Sequence, residues 1–238
     1  MIPPPFLPAE FVVWNATTGA SHSGPFGSYR FCPSTRVWEY PWAYHVAPVR
    51  PGMRVMDVGG ALCGFSLALA RAGAEVTVVD PDVHLQSPRE WLDRLTAQWA
   101  VRVASFRGEV AALPEPDGSF DVAYCLSVIE HIPGVAERRS LVEGVHRKLR
   151  RGGLFVVSID VDFRFEPFTT EPGRPELRNV SVAELLSHAP FRLAFGNPSE
   201  LLGMPGFDAG AVLSRSKAGD FLVDSNRLST QCFVLQAT

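Results

Sequence analysis

The sequence predicts an α/β fold, a mostly parallel sheet with helices on both faces, and three observations carry that prediction. From "RPG" at 50–52 onward, short apolar runs alternate with helical patterns, as in strands buried on both faces and joined by crossover helices. The first of these runs feeds a glycine-bearing turn and then a helix. At 238 residues the chain is also long enough to bury one sizeable core of this kind.

The elements follow in order. The first fifty residues are dense in Pro, Gly and aromatics without long periodic segments, and they read as a cap or arm packed on the main domain. Within them "WEYPWAYH" places Trp38, Tyr40, Trp42 and Tyr44 at period two, which predicts a strand or extended arm burying one aromatic face, or a lid over a site. "RVMDVG" is strand 1, and "GFSLALARAG" a helix ended by Gly73. "EVTVVD" is strand 2, "LQSPREWLDRLTAQWA" an amphipathic helix and "VRVASFRG" strand 3. A turn with Asp-Gly at its tip precedes strand 4, "DVAYCLSVI", and "VAERRSLVEGVHRKLRRGG" is a helix with a Gly stop. "LFVVSID" is strand 5, followed by irregular chain from Val161 to Asn179. "SVAE" at 181–184 is a capping box for a short helix ending before "HAP". "FRLAFG" supplies strand 6 and "STQCFVLQAT" the last strand, after a loop or lid at 197–228.

Composition removes several function classes. A formal charge of −3 and no Lys/Arg run longer than "RR" offer no attraction to a phosphate backbone, so nucleic acid is not an expected partner. No segment approaches the roughly 18 apolar residues of a membrane span, and "MIPPPFLPAEF" lacks a cationic leader, which predicts a soluble cytoplasmic protein. Cys32, Cys63, Cys125 and Cys232 are dispersed without zinc-ligand spacing and read as reduced thiols; no metal is expected. "NAT" and "NVS" are chance matches to a glycosylation pattern.

The informative turn is "DVGGALCGFS". Read as the dinucleotide fingerprint G-x-G-x-x-G it supplies Gly59, Ala61 and Gly64, with alanine where pyrophosphate needs a bare backbone. Asp57, two residues before Gly59, stands where such folds keep an apolar residue, and a carboxylate there suits a ligand carrying positive charge. With Asp57 and Gly59 in place, the turn resembles the first motif, D-x-G-x-G-x-G, of the class I S-adenosylmethionine-dependent methyltransferases, with Ala61 and Cys63 where that family has glycine. "VTVVDPD" then provides Asp80 at the family's spacing, and "RGEVAALPEPDGSFDVAYCLSVIEHIP" is similar to its run through strand 4. "LRRGGLFVVSID" also fits, so the resemblance covers about residues 50 to 160.

The resemblance implies a Rossmann-like seven-stranded sheet in an S-adenosylmethionine-binding methyltransferase domain at 51–238, behind the aromatic N-terminal cap that composition marks at 1–50. It places Asp57 near the methionine ammonium, with Gly59, Gly60 and Ala61 in the turn, and Asp80 with Pro81 at the ribose hydroxyls. Glu109 and Val110 fall at the adenine edge, and Leu126 and Ser127 along the methionine end. Methyl transfer is an in-line displacement at an activated sulfonium, so the protein mainly holds two reactants in line and removes one proton. His131 in "IEHIP" is the candidate base, with a structural role as its alternative. Asp160, with Asp162 beside it, follows strand 5 and is a candidate to hold an acceptor hydroxyl.

The expected activity is methyl transfer from S-adenosylmethionine, leaving S-adenosylhomocysteine, to a small-molecule acceptor such as a metabolite, natural product or sugar derivative. O-methylation in a biosynthetic setting comes first, on a monomer or homodimer away from membranes. Two alternatives stay open: an NAD(P)-dependent dehydrogenase with a relaxed fingerprint, and a non-catalytic S-adenosylmethionine-binding domain.

Overall fold

A computed structural model describes residues 35–60, 64–81, 96–97, 100–132, 134–162, 179–212 and 228–238. Seven strands make one sheet: β1 (Arg54–Val58), β2 (Glu75–Val79), β3 (Val103–Phe106), β4 (Phe120–Leu126), β5 (Leu149–Asp162), β6 (Phe191–Phe195) and β7 (Leu228–Ala237). Their order is β3-β2-β1-β4-β5-β7-β6. Pairing from β3 through β5 is parallel, whereas β7 runs antiparallel to both β5 and β6. Strand order reverses between β1 and β4, which opens a crevice at their carboxyl ends.

Helices α1 (Thr35–Val46), α2 (Gly64–Arg71), α3 (Val135–Lys148) and α4 (Val182–His188) accompany the sheet. Successive side chains of a strand point to opposite faces, and the core divides accordingly. Val55, Val122, Tyr124, Leu126, Val156 and Val234 pack with Tyr40 and Trp42 of α1 and with Phe65 and Leu69 of α2. Met56, Ala123, Cys125, Phe155, Val157 and Phe233 pack instead with Val142 and Val145 of α3 and with Val182 and Leu185 of α4. Each fully buried side chain of this size stabilises the fold by about 2 kcal/mol.

The predicted strands all lie where the sequence placed them, and α4 begins on its capping box: Ser181 Oγ accepts from the Glu184 N–H at 3.3 Å. Four expectations are corrected. The aromatic stretch "WEYPWAYH" is helical, within α1, and neither a strand nor an extended arm. Period two in aromatics is also period four, so Tyr40 and Tyr44 lie one turn apart; Glu39, Tyr40, Trp42, Ala43 and Ala47 form one buried stripe. Burial of that stripe outweighs Pro41, which lacks the N–H an interior helical residue donates. Second, α3 ends at Lys148 and not at a glycine, because Leu149 turns to extended backbone and pairs with Phe120 in β4.

Third, β5 continues to Asp162, so Asp160 and Asp162 lie within the strand and not after it. They pair with Thr230 and Leu228 of β7. Fourth, residues 197–212 are part of the packed body: Leu201, Leu202 and Val212 are buried. The expected helix at 85–100 falls mostly outside the described residues, as do Ala61, Cys32 and Cys63. No helix among the described residues is long and apolar enough to cross a membrane.

Candidate active site

The crevice has two walls. Asp57 is the penultimate residue of β1, 2% exposed, and its carboxylate accepts a short hydrogen bond from Ser66 Oγ in the first turn of α2. Burial pushes this carboxyl up to about 6; the Ser66 hydroxyl opposes the rise and the nearby Asp80 charge adds to it. Gly59 continues the ladder with its N–H on Val79 O at 2.8 Å and then turns at φ +69°, a conformation that favours glycine. A Cβ there would also lie 2.6 Å from the methyl carbons of Val128. At Gly60 a Cβ would collide with the Asp57 carboxyl group. This chain therefore needs its glycines at 59 and 60, close to the buried acid.

Asp80 follows β2, buried at 6% exposure, with its N–H on Phe106 O at 3.1 Å and its carbonyl accepting from Gly108 N at 3.3 Å. Pro81 is exposed beside it, and its carbonyl accepts from Arg107 Nε at 3.3 Å. After β3, Glu109 is exposed and Val110 buried at the start of a single 3-10 turn, Val110–Ala112. Gly144 of α3 packs tightly against that turn.

The opposite wall is the end of β4. Leu126 is buried, and Ser127 turns the chain at φ +49°, a left-handed conformation that is uncommon for a residue with a side chain. Its N–H is held by Ser158 O at 3.0 Å and Ser158 Oγ at 3.1 Å. Its hydroxyl donates to Glu39 Oε1 of α1 at 2.6 Å, with Asp160 Oδ1 at 3.4 Å. Asp160 Oδ1 accepts from Thr230 Oγ1 at 2.8 Å, and the Asp160 N–H donates to Glu130 Oε1 at 2.9 Å. His131 is exposed at the end of the 3-10 turn Ile129–His131 that follows β4. Arg138 of α3 steadies this turn, with Nη1 donating to Ile132 O at 3.0 Å and a two-pronged contact with Glu184.

Asp57, Gly59, Gly60, Asp80, Pro81, Glu109, Val110, Leu126 and Ser127 thus all lie at the carboxyl ends of β1 to β4, where open α/β sheets bind ligands. Asp160 joins them from β5. Asp162 is turned to another task at the strand's end: its N–H donates to Asn179 Oδ1 at 2.7 Å and its carbonyl accepts from Asn179 Nδ2 at 2.9 Å. Burial, with the charges of Glu130 and Asp57, pushes the Cys125 thiol well up, and Cys125 and Cys232 are both buried. The sequence reading missed Ser66, Glu39, Glu130 and Thr230. Glu39 alone carried a local signal, a carboxylate inside an aromatic stretch.

Residues 56–157 match the family described as a methyltransferase domain. Over 110 residues the chain is 38% identical to an uncharacterized methyltransferase of Mycobacterium sp. strain JLS, a match covering 46% of this chain and 40% of that protein. It is 36% identical over 115 residues to a ubiquinone biosynthesis O-methyltransferase of Ralstonia nicotianae, covering 47% of this chain and 44% of that protein. These matches span less than half the length of the curated relatives.

The solved Burkholderia thailandensis 1,6-didemethyltoxoflavin-N1-methyltransferase, with 1,6-didemethyltoxoflavin and S-adenosylhomocysteine bound, shares the fold over 98% of this chain and 92% of its own, with a TM-score of 0.62 and 18% identity. Geranyl diphosphate methyltransferase in complex with S-adenosylmethionine shares it at a TM-score of 0.60 and 16% identity, over 94% of each chain. The fold is the Rossmann-like sheet of these enzymes. The span 56–157 is similar to the methyltransferase domains of these proteins.

Proposed function

We propose that this protein transfers a methyl group from S-adenosylmethionine to a small-molecule acceptor, with a hydroxyl oxygen as the atom methylated. The observation that carries this reading is the gathering of Asp57, Asp80, Val110 and Ser127 at one sheet edge, around a turn whose glycines leave room for a buried carboxylate. Bound S-adenosylmethionine supplies a methyl group activated by its sulfonium charge. Asp57, with Gly59 and Gly60 clearing space around it, faces the cationic methionine end. Asp80 accepts hydrogen bonds from the ribose hydroxyls, with Pro81 beside it, and Glu109 with Val110 borders the adenine. Ala61, outside the described residues, belongs to the same turn.

Leu126 and Ser127 hold the methionine end from the opposite wall. His131 removes the proton of the acceptor hydroxyl, and Asp160 orients that hydroxyl from β5. Residues 1–50 act as a cap, of which α1 is the described part, and enclosure by its aromatic stripe keeps water from the reacting centre. A cytoplasmic, biosynthetic role as a monomer or homodimer accords with this reading.

The dehydrogenase reading is weakened by the sheet, since the dinucleotide order 3-2-1-4-5-6 has no reversed strand inserted where β7 lies here. Incubation with methyl-labelled S-adenosylmethionine and parallel panels of hydroxyl, amine and carbon acceptors tests the proposal. Label in a hydroxyl acceptor, reduced at least a hundredfold by His131→Ala, is the expected result. Label only in amines would overturn O-methylation. Tight cofactor binding with no transfer in any panel would favour a non-catalytic binding domain.

A further inference from the structure

We propose that Glu39 is a positioning residue for the turn after β4, so that the cofactor cleft is completed only when α1 is docked; this rests on the methyltransferase reading above. Ser127 is held at φ +49° by contacts on both sides: its N–H by Ser158, its hydroxyl by Glu39. Left-handed backbone at a residue with a side chain costs of order 1–3 kcal/mol and persists only where surrounding contacts over-determine it. A serine hydroxyl has one proton. The 2.6 Å contact to Glu39 takes it in preference to the 3.4 Å contact to Asp160, whose carboxylate already receives Thr230.

Glu39 itself is fully buried, a costly place for a carboxylate unless it is met by donors. The same helix touches the other wall, where the Tyr40 ring lies 5.4 Å from Phe65 in the first turn of α2, the helix that carries Ser66 to Asp57. Val128, one residue beyond Ser127, fills the space beside Gly59. Helix α1 therefore bridges both walls of the crevice, and Glu39 is its polar tie to the wall formed by β4. Glu39 acts on the cofactor through Ser127, without needing to touch it.

The test is calorimetric titration of S-adenosylhomocysteine into the full chain and into Glu39→Ala, Ser127→Ala, the double variant and Glu39→Gln, with hydrogen exchange followed over residues 35–47. Each alanine variant is expected to weaken binding about tenfold, and the double variant to be no weaker than Ser127→Ala beyond about threefold, since both changes break one bond. Glu39→Gln, whose amide oxygen still accepts from Ser127, should bind within about threefold of the native chain. Ligand-induced protection of α1 should appear in the native chain and vanish in Glu39→Ala. Native affinity in a folded Glu39→Ala, or losses that add fully in the double variant, would overturn the proposal. Should Glu39→Ala fail to fold, Ser127→Ala decides: undiminished ligand-induced protection of α1 in that variant overturns it. A native chain that binds no S-adenosylhomocysteine overturns the methyltransferase reading as well, whereas native binding indifferent to Glu39 overturns this inference alone.

Discussion

Replacing Asp57 by asparagine should stabilise the ligand-free protein at neutral pH while removing its affinity for the cofactor. The buried carboxyl keeps its proton up to about pH 6, where an ordinary aspartate releases it at 3.8. At roughly 1.4 kcal/mol for each tenfold change in a dissociation constant, holding Asp57 ionised in the fold at pH 8 costs about 3 kcal/mol. Between pH 3.8 and 6 the native state binds a proton that the unfolded chain has released, so stability drains away as pH rises through that window. Asparagine keeps the shape and an oxygen to accept from Ser66, and carries no charge to desolvate. Thermal unfolding of the two proteins at pH 8 should therefore show the variant melting roughly 6–12 °C higher, and at pH 5 by about half as much. Calorimetry at pH 8 should show its S-adenosylmethionine binding lost. A variant that melts lower than the native protein at pH 8, or gains equally at pH 5 and pH 8, would refute the electrostatic reasoning.

Further outcomes follow from the same site. Because the cationic cofactor needs Asp57 ionised, its affinity for the native chain should fall as pH drops below about 6, by up to about tenfold per pH unit; titrations from pH 5 to 8 check this. Gly60→Ala drives a Cβ to within 2.5 Å of the Asp57 carboxyl carbon and should cost about 1–3 kcal/mol in urea unfolding. Arg138→Ala strips the 7%-exposed guanidinium from Glu184 and from Ile132 O, and should cost about 3 kcal/mol in the same assay while loosening the turn that carries His131.

What the sequence disclosed and what it concealed divide along local and non-local lines. The inner strands β1, β2 and β4 announce themselves because they are buried on both faces and therefore mostly apolar, and the α4 cap is readable because Ser181 and Glu184 are three residues apart. Asp57 stood out for the same reason in reverse, as a charge where burial forbids one. Helix α1 is not legible as a helix because alternation in aromatics satisfies both a strand and, at every second step, a helix turn. The start of β5 was hidden by "RRGG", a helix-stop signal overridden by the pairing of Leu149 with Phe120. The tie between Glu39 and Ser127 spans 88 residues of sequence, and no local pattern encodes it.

The measurement that tests the account most directly is calorimetric titration of the protein with S-adenosylmethionine, S-adenosylhomocysteine and NAD(H), repeated on Asp80→Ala. The account predicts binding of both adenosyl ligands by the native chain, its loss in Asp80→Ala and no signal with NAD(H). Binding of NAD(H) alone, or adenosyl binding untouched by the loss of Asp80, would contradict the placement of the cofactor at this edge.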